Sequence, residues 1–135
     1  MKVLRYNKKY QFLVNFALGI LEKREIPHGE LTLRFYKSDP LLQGYATFSL
    51  PWSPQARNKK PTIHFNTEKS EELNESDMKY CIAHEIGHYK DWLESDLPIG
   101  TLFQPYNAIK DEQKANKFAK GIMGYMPDWL PEEYK

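Results

Sequence analysis

Five consecutive residues, His84-Glu85-Ile86-Gly87-His88, have the types and spacing for metal-assisted hydrolysis. In a helix, residues four apart lie one turn up the same face, about 40° apart at roughly 100° per residue. His84 and His88 then point the same way, and two neutral imidazoles so placed bind one Zn²⁺. Glu85 falls to the side of the pair. There it reaches a water on the metal rather than the metal itself, the position of a general base. Composition alone yields such a motif by chance on the order of one per cent of the time, so its surroundings have to carry it.

The surroundings predict a helix from Asn74 to about Glu94. Met78, Ile82, Ile86, Tyr89 and Leu93 recur at helical spacing and form an apolar stripe. The two histidines sit off that stripe, where a cleft would lie. Asn74 is a suitable N-cap, and Glu68, Glu71, Glu72, Glu75 and Asp77 suit the positive end of the helix dipole. Gly87 costs about 1 kcal/mol in a helix interior relative to Ala. Its place between the histidines makes sense if something approaches the helix closely there.

A catalytic zinc takes a third protein ligand and leaves one position open. Asp111 and Glu112 are both candidates on a later helix, from about Asn107 to Met123. Ala108, Ala115, Phe118, Ala119 and Ile122 form its apolar face, and both acids border that face. Asp91, three residues after His88, is a further candidate, or a second-layer partner of the histidines. Tyr106 and His64 are candidate oxyanion donors, although a structural role is the more ordinary expectation for each. Cys81 reads as a small residue packed on the motif helix and His28 as an exposed residue beside a turn.

The elements that position these groups can be taken in order. A first helix runs from about Asn7 to Arg24, with Phe12, Leu13, Phe16, Ala17, Ile20 and Leu21 as its stripe. Three strands follow, over 31–36, 44–50 and 62–66. Pro51, Pro54 and Pro61 bracket a polar loop with Arg57, Lys59 and Lys60, expected to be solvated. Asp96-Leu97-Pro98 ends the motif helix, a loop covers 99–106, and the chain closes on an irregular tail in which Trp129 packs back. The expectation is one α+β domain, 1–135, with a small three-stranded sheet beside the active helix. The last strand, around Ile63, is expected at the sheet edge, open to an extended peptide.

With 135 residues the chain is long enough for a real core. Nineteen basic against 18 acidic residues leave no electrostatic footprint for nucleic acid or an anionic membrane. One cysteine excludes an intrachain disulfide, and neither a secretory pattern nor a long apolar run is present, so a soluble cytoplasmic protein is expected.

The motif, followed by Glu112-Gln113-Lys114-Ala115-Asn116-Lys117-Phe118-Ala119, resembles the ImmA/IrrE family of zincin-like metallopeptidases. The resemblance covers roughly Ser76 to Met123. One departure is that Met126-Pro127 comes two residues later than the family's equivalent pair. The resemblance implies His84, His88 and Glu112 as zinc ligands and Glu85 as base. It also implies cleavage of a specific regulatory protein, such as a helix-turn-helix repressor. Two other functions compete with this. One is a zincin-shaped module that binds zinc without cleaving peptides. The other is a DNA-associated peptidase of the SprT-like type, which the near-neutral charge and the lack of a four-cysteine zinc module disfavour.

Overall fold

The structure is a computed structural model that describes residues 1–42, 44–95 and 108–135. The predicted end of the motif helix at Asp96, the loop over 99–106 with Tyr106, and Asn107 lie outside the described residues.

The chain starts with a short strand β1, Lys2–Val3, and a 3₁₀ turn, Lys8–Tyr10, capped by the Asn7 side chain, which accepts from the Lys9 N–H at 3.0 Å. Helix α1, Gln11–Lys23, follows. Leu13, Val14, Ala17, Ile20 and Leu21 are its buried stripe, whereas Phe12 and Phe16, expected there, are only partly buried. The helix ends at Lys23, next to the expected Arg24. It ends in a Schellman-type turn in which Ile26 N–H reaches Leu21 O at 2.8 Å and Glu25 N–H reaches Glu22 O at 3.2 Å. This turn sets Glu25 in the left-handed region, at φ 54°. His28, just beyond, is half-buried rather than exposed.

Three further strands are β2, Thr32–Tyr36, β3, Ala46–Ser49, and β4, Thr62–Asn66. The sheet has four strands, not three, in the order β1-β2-β4-β3. A two-residue strand carries no periodicity to read. Backbone bonds hold it in place, from Lys2 N–H to Leu31 O at 2.8 Å and from Leu4 N–H to Leu33 O at 3.0 Å. The pairs β1–β2 and β2–β4 are parallel, and β3 runs antiparallel to β4.

This order corrects the expectation for the strand around Ile63. That strand is interior, and β1 and β3 are the edges. The reason is burial on both faces, which marks an interior strand. Ile63 and Phe65 face the helices, and Thr62 and His64 on the opposite face are also fully buried.

After a 3₁₀ turn, Lys69–Glu72, helix α2 spans Glu75–Glu94. Asn74 Oδ1 accepts from the Asp77 N–H at 2.8 Å, the predicted cap. Ile82, Ile86 and Tyr89 are buried as expected, but Leu93 is exposed. Tyr80, Cys81 and Ala83 are buried as well, because α2 is covered on more than one side. It packs on the sheet, on α1, and on helix α3, Ala108–Met123. A last 3₁₀ turn, Glu132–Tyr134, lies against α3. Trp129 does pack back: its ring meets Tyr45 at 5.0 Å and its Nε1–H donates to Asp77 Oδ2 at 3.1 Å.

Candidate metal centre

The contact between α2 and α3 explains Gly87. A Cβ there would lie 3.2 Å from the Ala115 Cα and 3.3 Å from the Ala115 carbonyl oxygen. The close approach implied by that glycine is made by the backbone of α3. It brings Glu112, one turn before Asn116 on the same face as Ala115 and Ala119, up to the two histidines.

His84, His88 and Glu112 form the group among the described residues that can hold a metal ion. The His84 and His88 Nε2 atoms are 3.1 Å apart. Glu112 Oε2 lies 2.9 Å from the first and Oε1 3.0 Å from the second. Ligands about 2.0–2.1 Å from a tetrahedral Zn²⁺ stand about 3.3 Å from one another, so this spacing fits a small divalent ion. Two imidazole nitrogens facing each other also need a proton or a cation between them, since paired lone pairs repel. Burial acts to raise the Glu112 carboxyl, but the hydrogen bonds to His84 and His88 outweigh it and hold the group well below the usual carboxylate range. Burial acts to lower His88, and Glu112, Glu85 and Asp111 outweigh it in the other direction.

Glu85 stands beside this trio and is not part of it. Its Oε1 is 3.9 Å from His84 Nε2, and the residue is buried. Burial is the largest influence on its carboxyl and raises it; the two histidines and a hydrogen bond from the Phe48 backbone oppose the rise. Phe48 belongs to edge strand β3. Asn66 N–H bonds Tyr45 O at 2.8 Å, so in this register Tyr45, Thr47 and Ser49 face β4, while Ala46 and Phe48 turn their backbone groups outward. The base is therefore tied to the outer side of the sheet edge.

A cleft of about 540 Å³ opens over the site, and two ring pairs, Tyr45 with Trp129 and Phe48 with Trp92, help to line it. Asp91 and Asp111 line it but lie outside the ligand group. Asp91 is engaged elsewhere, taking Lys114 Nζ at 2.6 Å and so linking α2 to α3. Cys81 also lines the cleft, and burial pushes its thiol up, which keeps it neutral.

His64 is not brought to the site. It lies on the opposite face of the sheet, accepts at Nδ1 from Arg34 Nη1 at 3.2 Å, and donates from Nε2 to Ser49 Oγ at 2.9 Å. Burial, then Arg34 and Arg57, lower it to about 4, so it is neutral. Tyr106 lies outside the described residues. The basic loop is a tight turn, with Asn58 and Lys59 both at positive φ, and it does not line the cleft.

Asn116 joins the site, and the sequence alone assigned it no role. It is fully buried, and its Oδ1 accepts from His84 Nδ1–H at 2.7 Å, which leaves the Nε2 lone pair for a metal. A signal was present: an amide inside an apolar stripe, between buried Ala115 and Ala119, has to find partners.

No family model matches the chain, and no curated protein and no solved structure matches it.

Proposed function

We propose that this protein is a zinc-dependent endopeptidase. The observation that carries the reading is the division of labour among four side chains. Two histidines and Glu112 converge on one point, and Glu85, buried 3.9 Å from His84 Nε2, is kept out of that set. A metal site with a structural role alone has no use for a carboxylate held beside the ligands.

His84, His88 and Glu112 would hold the ion. Bound Zn²⁺ supplies Lewis acidity, polarising the scissile carbonyl and lowering the pKa of a water towards about 7. Glu85 takes the proton from the attacking water and returns it to the leaving amine. The Phe48 backbone bond fixes the carboxylate during both transfers. The outward backbone groups of Ala46 and the Phe48 carbonyl offer an extended substrate a strand to pair with, a role that moves from the strand around Ile63 to β3. Resemblance of the HExxH helix and the Glu112–Ala119 segment to the ImmA/IrrE family supports a regulatory protein, such as a repressor, as substrate, and the cytoplasm as the place of action.

Elemental mass spectrometry of the purified chain beside H84A and E112A tests the ligand set. One zinc per chain, lost in both variants, is expected. Full zinc in E112A would move the third ligand to Asp111 or Asp91. A wild-type chain that takes up no divalent metal overturns the reading.

A further inference from the structure

We propose that the backbone carbonyl of Tyr134 sets the tautomer of His84, acting through the side-chain amide of Asn116. The inference rests on His84 being a metal ligand.

Asn116 lies at the centre of a chain of hydrogen bonds. Its Oδ1 accepts from His84 Nδ1–H at 2.7 Å and from the Tyr80 hydroxyl at 3.0 Å. Its Nδ2–H donates to Tyr134 O at 2.8 Å. An amide can be turned end for end in such a place, and its neighbours decide which end is which. Tyr80 does not decide, because a hydroxyl donates or accepts. It also reaches the Asn116 backbone carbonyl, at 3.4 Å. A backbone carbonyl only accepts. Tyr134 O is thus the member of fixed polarity that turns Nδ2 towards itself and Oδ1 towards His84.

The opposite orientation shows what is at stake. Oδ1 would then face Tyr134 O, acceptor against acceptor, and Nδ2–H would face His84 Nδ1. His84 would have to carry its proton on Nε2. That atom is the one 3.1 Å from His88 Nε2 and 2.9 Å from Glu112, and protonating it removes the ligand lone pair. The turn that presents the carbonyl is itself held on α3. Gln113 Nε2 donates to Glu133 O at 3.1 Å, and Tyr134 N–H closes the turn onto Pro131 O at 3.0 Å. Gln113 and Asn116, three apart on α3, grip successive carbonyls of the same turn. The segment that follows the last helix thereby acts as a positioning element for a ligand it never touches.

The test reads solvent exchange of the His84 Nδ1–H by ¹⁵N NMR in the zinc-loaded protein, and zinc affinity by competition with a chelator. In wild type the Nδ1–H should be hydrogen-bonded and slow to exchange. The full-length double variant Q113A/Y134G loosens the turn. It should speed exchange of the Nδ1–H and weaken zinc binding by about tenfold or more. Adding N116D to that variant should slow the exchange again, because both carboxylate oxygens accept whichever way the group faces. If the turn survives the two substitutions, ending the chain at Pro131 removes the carbonyl outright and the same readouts decide. Unchanged exchange and affinity without the carbonyl overturn the proposal while leaving the metal site standing. A wild-type chain that takes up no zinc overturns the metal reading, and the proposal that rests on it.

Discussion

The α-carbon of Ala115 lies 3.2 Å from where a Cβ on Gly87 would be, so α2 and α3 meet at a point where a side chain has no room. The same point sits between the two histidines in sequence and next to Asn116. Packing and ligand geometry are therefore set by one contact. Gly87→Ala should gain about 1 kcal/mol of helix propensity and lose more through overpacking, roughly 1–3 kcal/mol. Denaturant unfolding should show net destabilisation, and zinc affinity should fall with it as Glu112 is pushed outward. A stabilised G87A protein with unchanged zinc affinity would contradict this account of the contact.

Under the proposed function, Glu85 separates catalysis from binding. Glu85→Gln should keep zinc at the wild-type level, since Glu85 is outside the ligand group, while cleavage of an unfolded protein substrate falls by about a hundredfold or more. The paired assays are elemental analysis and gel-based proteolysis. Retained cleavage would remove Glu85 from the role of base.

His64 predicts an acid-side loss of stability. It is neutral in the fold at about 4 and has an ordinary value of 6.5. A group whose folded value is lowered contributes its full stability above the unfolded value and loses it as pH falls through the window between the two. Stability should thus decline between pH 6.5 and about 4, by roughly 3 kcal/mol from this group. His64→Gln keeps a hydrogen-bonding side chain without the titration and should flatten that part of a pH series of unfolding midpoints. An equally steep H64Q profile would assign the slope to other groups.

Glu25 stands in the left-handed region, at φ 54°, where the Schellman turn that ends α1 favours glycine. Glu25→Gly should stabilise the fold by about 1 kcal/mol, the order of the strain a side chain pays there. Thermal unfolding measures it, and a lower midpoint would mean that Glu25 makes a contact that offsets the strain.

Local chemistry made much of this fold legible. The N-cap at Asn74 and the end of α2 at Glu94 were readable because capping and periodicity act within one helix. The burial of Leu93 was misjudged for the opposite reason: periodicity marks a face, but what covers that face is decided elsewhere in the chain. Strand order is likewise non-local, so the place of β4 between β2 and β3 left no trace in the alternation of Ile63 and Phe65. Of the candidate site residues, His84, His88 and Glu112 come together, Asp91 is drawn to Lys114, and His64 is buried behind the sheet. Asn116 was visible only as part of a motif, because its partners lie 32 residues before it and 18 after.

Helix α3 packs chiefly on α2, and the last turn packs on α3. The sheet and α1 contact α2 directly, independently of α3. In hydrogen exchange the molecule should therefore open in two tiers, with residues 108–135 as the outer one. A metal bridging His84, His88 and Glu112 would fasten the outer tier to the inner, so chelation would speed exchange in α3 well before it reached the sheet.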